Sequence, residues 1–194
     1  MSEADRLRWN QRYAAGEYDL TPNPRLVSFL ADRISPGMAV LDIACGAGRN
    51  ALWLAARGAE VHAWDISDEA LGRLEAEARR QGLLIHTRQV DLEQATLPEE
   101  RFDLVIAIHF LHRPLLRPML QAVRPGGLLF IDTFMDSEKR AAVNPAYKLE
   151  PGELARVYGG QAEILHLTEA AADGRATMLA RRAATGAAVP PPPT

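Results

Sequence analysis

Short apolar runs and helically spaced apolar positions alternate along most of the chain. The runs at 38–43, 60–65, 84–90, 102–110 and 128–134 have the length of buried strands. Between them, Ala51, Leu52, Leu54 and Ala55 carry a helix over 49–57, ended by Gly58. A second helix starts at Ser67, a natural N-cap followed by Asp68 and Glu69, and closes at Gly82; a third covers 114–123. Strands separated in this way by helices or long links pair in parallel. Upstream, residues 3–14 form a polar helix with Leu7, Trp9 and Tyr13 on it. Asn23 then caps a helix led by Pro24, whose stripe is Leu26, Val27, Phe29, Leu30 and Ile34.

The end of the chain breaks the alternation. An irregular stretch at 135–149 and a short helix at 151–158 precede two strands, 162–168 and 175–182. The link between these strands contains Asp173-Gly174 and is short enough for an antiparallel pair. The pattern is that of a doubly wound, Rossmann-like α/β fold: five parallel strands followed by a C-terminal hairpin. Residues 1–182 read as one domain, with 1–22 as an N-terminal lid segment and the Pro-rich 183–194 as a disordered tail.

Composition removes several function classes. A net charge of −3, with acids and bases interspersed, gives no bulk attraction to nucleic acid. No apolar stretch approaches a membrane span, and the single cysteine, Cys45, excludes an intrachain disulfide framework. A reducing, cytoplasmic setting is expected. Cys and His spacing offers no metal site. Oligomeric state has no signature in the sequence.

The chemistry concentrates where the first strand meets its helix. Asp42 is followed by Ala44-Cys45-Gly46-Ala47-Gly48-Arg49-Asn50, a small-residue turn that lets a ligand approach the backbone. Gly46-Ala47-Gly48-Arg49-Asn50-Ala51 also fits the dinucleotide pattern G-x-G-x-x-A. Asp65 closes the second strand about twenty residues after the first glycine, where a carboxylate can accept two hydrogen bonds from a ribose diol. Asp91 and Leu92 end the third strand and suit an adenine amine and ring nitrogen. Asp42 separates the ligands: it repels a pyrophosphate over the turn and welcomes an ammonium group. S-adenosylmethionine carries that group and no phosphate, and Arg49 is placed to pair with its carboxylate. A nicotinamide-dependent oxidoreductase is the alternative enzyme class, and a non-catalytic cofactor-binding sensor or partner subunit the alternative outside enzymes.

The segments Leu41–Asn50, Ala63-Trp64-Asp65 and Arg124-Pro125-Gly126-Gly127 resemble the class I S-adenosylmethionine-dependent methyltransferases over roughly Trp9 to Arg182. Within them the chain is most similar to the tellurite-resistance methyltransferase group. That likeness rests on Cys45-Gly46-x-Gly48-Arg49-Asn50, Trp64-Asp65, Trp9-x-x-Arg12-Tyr13 and Leu149-Glu150-Pro151-Gly152-Glu153-Leu154. The resemblance implies a seven-stranded sheet with a reversed final strand. It implies methyl transfer from S-adenosylmethionine, and a cofactor held by Asp42, Ala44, Gly46 and Gly48 on the methionine side, Asp65 with the adjacent Ile66 at the ribose, and Asp91 with Leu92 at the adenine. Ala44 departs from the family, which has a glycine there; a positive φ at Ala44 would add strain of order 1 kcal/mol.

Ile108 and His109 end the fourth strand and are expected to line the cofactor, joined by Tyr13 from the lid. His109 and His112 are the candidate bases. Arg12, Tyr18, Arg113, Tyr147 and Lys148 are the candidates for binding the acceptor. Cys45 is read as packing. The expected acceptor is a small molecule, with chalcogen oxyanions (tellurite, selenite) and small thiols suggested by the resemblance.

Overall fold

In the computed structural model the chain is described at residues 3–16, 18–170 and 172–184. Except for Ala183 and Ala184, the proposed disordered tail lies outside these residues. Two compact units divide the chain between Thr96 and Leu97.

The first unit contains helices α1 (Glu3–Ala15), α2 (Pro24–Leu30), α3 (Arg49–Ala55) and α4 (Asp68–Gln81), and strands β1 (Ala39–Ile43), β2 (Glu60–Asp65) and β3 (Ile85–Gln89). β2 pairs in parallel with both β1 and β3. Asn23 caps α2 as its sequence implies, its Oδ1 accepting from the main-chain nitrogens of Arg25 (2.8 Å) and Leu26 (3.2 Å). The helix stops at Leu30, so Ile34 does not continue its stripe. Residues 31–33 turn the chain out of the helix, and Pro36 disfavours helical geometry at Ser35 before it. Ser67 caps α4 by accepting from Ala70 N at 3.1 Å, and Gly82 ends it in the left-handed region.

The second unit contains β4 (Phe102–Ile108), α5 (Arg113–Ala122), β5 (Val123–Phe134), α6 (Glu153–Tyr158), β6 (Ala162–Ala170) and β7 (Arg175–Arg182). β4 and β5 are parallel, while β7 runs antiparallel to both β5 and β6. β5 begins five residues earlier than its apolar run suggests. Val123 pairs with Phe102, but the register then jumps to Leu128 opposite Leu104. Arg124-Pro125-Gly126-Gly127 therefore bulges out of the ladder. A Cβ on Gly127 would sit 2.7 Å from the Asp103 carbonyl oxygen, which is why that position takes glycine.

The seven strands follow the order β3-β2-β1-β4-β5-β7-β6. β7 is the reversed strand, inserted between β5 and β6, and so the chain has the seven-stranded Rossmann-like sheet implied by its motifs. Val40, Leu41, Ile43, Leu104–Ala107 and Leu129–Ile131 are buried along the strands.

Candidate functional site

The glycine turn is built by backbone conformation and one carboxylate. Ala44, Gly46 and Gly48 have φ of 55°, 56° and 81°. The alanine thus occupies the strained conformation that a glycine would relieve. Asp65 is buried; its Oδ2 accepts from Gly46 N at 2.8 Å and its Oδ1 from Ser67 N at 2.9 Å. One carboxylate therefore ties the turn to the start of α4. Burial pushes the Asp65 carboxyl up, opposed by these main-chain donors.

Asp42 lies at the centre of the same unit and is 1% exposed. Its Oδ2 is buried without a hydrogen-bond partner among the described residues. Burial, then Asp65, pushes its carboxyl up to about 8, against the pull of Arg49 and the Ala51 main-chain N–H. The two glycines differ in role. A Cβ on Gly46 would meet the Tyr13 hydroxyl at 2.3 Å, whereas one on Gly48 would strike Leu74 of α4 at 2.2 Å. Gly46 keeps space above the turn, where Tyr13 sits; Gly48 lets α3 and α4 pack closely. Burial, then Asp65, pushes the Tyr13 phenol up to about 12.

Tyr13 is delivered by α1, which is held on α4. Arg6 and Asn10 each donate to Asp68 at 2.7 Å, and Ser67 Oγ donates to Asn10 Oδ1 at 2.7 Å. Arg12 stays exposed, its guanidinium 5.3 Å from the Trp9 ring. The Tyr18 ring lies 5.0 Å from the Arg73 guanidinium, on α4. Asn50, in the turn motif, is buried and accepts from Asn23 N at 2.9 Å, fixing the start of α2. Asp91 accepts from Glu93 N at 2.9 Å and Gln94 Nε2 at 3.1 Å, so it organises a turn beside the buried Leu92. Ile66 is buried between Asp65 and Ser67.

Cys45 is buried, and burial first, then Asp65 and Asp42, push its thiol well above the ordinary range. Its Sγ points at the Gly46 carbonyl at 3.5 Å. A thiol kept protonated is a poor nucleophile, which agrees with a packing role. Cys45→Ala should leave cofactor affinity within about twofold by calorimetry while costing about 1 kcal/mol of stability. Loss of cofactor binding in this variant would overturn the packing assignment.

In the second unit, β4 ends at Ile108 and His109 follows with φ of 57°, a strained conformation for a side-chain-bearing residue. The His109 ring stacks on Phe134 at 5.0 Å and 17°. Arg175 donates to His109 Nε2 and to Asp132, and Thr177 Oγ1 donates to Asp132 Oδ1 at 3.0 Å. An arginine cannot accept, so Nε2 is the unprotonated nitrogen here. As a general base, His109 would have to give up this hydrogen bond. His112 is half-buried at the N-cap of α5.

The other acceptor candidates are partly committed elsewhere. Arg113 forms a two-pronged pair with Glu153, Nε to Oε1 at 2.7 Å and Nη2 to Oε2 at 2.9 Å. It also donates to the carbonyls of Ala146 (3.1 Å) and Lys148 (2.9 Å). Arg113 therefore clips the segment after β5 onto α6. Lys148 is buried with Nζ 2.6 Å from Asp136, and Tyr147 is exposed. The Glu150–Glu153 stretch owes its spacing to this clip: Glu153 Oε2 also accepts from Glu150 N at 2.9 Å. Among the described residues, no group of three or more His, Cys, Asp or Glu is placed to hold a metal ion. No helix among them is long and apolar enough to cross a membrane.

Residues 40–127 match the sequence family described as a methyltransferase domain. That match spans somewhat less than half of the chain, and over those residues the chain is similar to methyltransferase domains. It is 33% identical over 125 residues to a ubiquinone biosynthesis O-methyltransferase of Aeromonas salmonicida, covering 60% of this chain and 52% of that one. It is 32% identical over 129 residues to an uncharacterised protein of Mycobacterium bovis, covering 60% of this chain and 46% of that one. The chain thus spans about half the length of these curated relatives. Its fold is shared with TehB from Haemophilus influenzae, with a TM-score of 0.72, 24% identity, and coverage of 91% of this chain and 66% of that one. It is also shared with the magnesium protoporphyrin IX methyltransferase of Synechocystis, solved with bound S-adenosylhomocysteine (TM-score 0.69, 19% identity, 93% and 95% coverage).

The chemistry of the glycine turn fits S-adenosylmethionine. Asp42 offers a buried oxygen lacking a donor, which an ammonium group supplies. Gly46 leaves room above the turn that any Cβ would fill, and the Tyr13 hydroxyl lies in that room. Two features of the structure escape sequence reasoning, the Arg175–Asp132 pair and the Arg113–Glu153 clip. Their partners stand far apart in sequence, and no local motif marks them. The alternation of Asp132 within an apolar strand was the one available signal, since a carboxylate buried in a strand needs a partner.

Proposed function

We propose that the protein transfers the methyl group of S-adenosylmethionine to a small-molecule acceptor. The observation that carries this reading is the donor-less Asp42 Oδ2 beside a glycine turn anchored by Asp65. Bound S-adenosylmethionine supplies an electrophilic methyl group whose departing thioether is neutral, so the chain needs no general acid. In this reading Asp42 holds the ammonium end and Arg49 the carboxylate of the methionine part. Asp65, with two donors already on it, accepts from the ribose through its remaining lone pairs. Asp91 and Leu92 take the adenine. Ile108 and His109 follow from the carboxyl end of β4, the end at which open α/β sheets bind ligands. Tyr13, Trp9 and α1 act as a lid over Gly46, excluding water from the reacting groups. His112 serves as base where an acceptor must lose a proton; a soft anionic acceptor needs none.

The net charge of −3 and the interspersed bases favour small molecules over nucleic acid. The likeness to the tellurite-resistance group makes tellurite, selenite and small thiols the first acceptors to try. A cytoplasmic site of action accords with the single, protonated cysteine.

The test is methyl transfer from isotopically labelled S-adenosylmethionine to a panel of chalcogen oxyanions, thiols and small carboxylates. Turnover with at least one acceptor is the expected result. Tight S-adenosylhomocysteine binding without any turnover would replace this reading with that of a cofactor-binding sensor. Binding of NAD(P) in its place would replace it with an oxidoreductase.

A further inference from the structure

We propose that Arg140 and Ser137, after β5, form with Arg175 and His109 a subsite for the carboxylate of a planar organic acceptor. The proposal rests on the methyl-transfer reading for the identity of that ligand as acceptor.

Two buried donors at this place lack acceptors among the described residues: Ser137 Oγ and Arg140 Nε. Both lie against Gly174, at the turn into β7. A Cβ there would stand 2.3 Å from Ser137 Oγ and 2.5 Å from Arg140 Cγ. The glycine, with φ of 62°, allows this approach. Buried polar groups are almost always satisfied, so a pair of donors left together calls for an acceptor. Charge narrows what that acceptor is. Arg175 is offset by Asp132, Lys148 by Asp136, and Lys139 by Asp173 at 3.7 Å. Among the described residues Arg140 has no such partner. A water molecule could satisfy the donors but would leave this charge uncompensated.

The flat surroundings favour a planar anion. The Arg140 and Arg175 guanidiniums lie 4.7 and 5.4 Å from the centre of the Phe134 ring, and the His109 ring stacks on it at 5.0 Å. A guanidinium laid on an aromatic face keeps its N–H edge available, and that edge matches the two oxygens of a carboxylate. His109 is an exposed residue, and its stack with Phe134 adds a flat aromatic edge to the place where a ring attached to that carboxylate would lie. The strained backbone of His109 holds its ring in this position. The nucleophile of such an acceptor is a separate group of the same molecule.

Benzoate, titrated calorimetrically into the full chain saturated with S-adenosylhomocysteine, is the probe. Wild-type protein is expected to bind it with a Kd below about 1 mM, and Arg140→Ala to weaken it at least about tenfold. Arg140→Lys should recover only part of the loss, because an ammonium offers no fork, and Ser137→Ala should give a smaller loss. S-adenosylhomocysteine affinity should be unchanged in all three, which separates a lost subsite from a damaged fold. Selenite, pyramidal rather than planar, should bind at least tenfold more weakly than benzoate. Absence of benzoate binding, an unchanged Kd in Arg140→Ala, full recovery in Arg140→Lys, or selenite binding as tightly would each overturn the proposal. The methyl-transfer reading fails separately, by loss of S-adenosylhomocysteine binding in the wild type.

Discussion

Asp65→Ala is expected to weaken S-adenosylhomocysteine binding at least about a hundredfold and to lower Tm at the same time. The carboxylate has two sets of duties. In the protein alone it accepts from Gly46 N at 2.8 Å and Ser67 N at 2.9 Å. Removing it strands two buried N–H groups, at roughly 1–3 kcal/mol each. In the proposed ligand complex it would also accept from the ribose, and hydrogen bonds to a charged group contribute about 1.5–3 kcal/mol. Two of them together account for about 3 kcal/mol, or a hundredfold in Kd. Asp65→Asn separates the duties, since its single oxygen can keep one amide but not both. Its Tm should fall less than that of the alanine variant, while ligand affinity falls nearly as far. Calorimetry and thermal melting on the same samples decide this. Unchanged affinity in Asp65→Ala would remove the ribose assignment, whatever happened to Tm.

The second large effect is a proton expelled when the cofactor product binds. The Asp42 carboxyl is pushed from its usual 3.8 up to about 8, by burial first and by Asp65 second. At pH 7 it therefore carries a proton in the unliganded protein. An ammonium group placed at Oδ2 favours the ionised form, so that proton must leave. Binding enthalpies measured near neutrality in buffers of different ionisation enthalpy should report close to one proton released. Affinity should rise with pH below about 8, by up to about tenfold per unit, and level off above it. Stability without ligand runs the other way. The folded state holds a proton that the unfolded chain gives up near 3.8, so Tm should fall as pH rises from about 4 to 8. Asp65, also pushed up by burial, adds in the same direction. Asp42→Asn should flatten the affinity profile and weaken binding about tenfold or more. A wild-type profile with no slope between pH 6 and 8 would show that Asp42 is not the ammonium partner.

Much of this could be read from local sequence. The strand–turn–helix unit announces itself through Asp42, the small residues after it and the glycines with positive φ. Asn23, Ser67 and Gly82 mark their helix ends because capping depends on three or four neighbouring residues. Even the anomaly at Ala44 was legible, as a small residue where the backbone wants glycine. What the sequence withheld depends on register. Asp132 meets Thr177 and Arg175 because β7 is inserted beside β5 in one alignment. A two-residue slip would give Asp132 other partners. The same holds for Arg113, whose partner Glu153 lies forty residues away and is marked by no local motif. The bulge at Arg124–Gly127 was hidden for a related reason. A Pro-Gly-Gly turn and a bulge within a strand have the same composition, and only the partner strand distinguishes them.

The attachment of α1 bears on time rather than affinity. Among the described residues, three side-chain hydrogen bonds involving Arg6, Asn10 and Ser67 link α1 to α4, two of them solvent-exposed. Exposed contacts of this kind are worth only about 0.2–1 kcal/mol each. A helix held by polar contacts of this kind is expected to open far more readily than the whole fold. If α1 covers the proposed ligand, residence beneath Tyr13 should be set by the ligand's own grip on Asp42 and Asp65. Spent cofactor should then exchange freely between cycles.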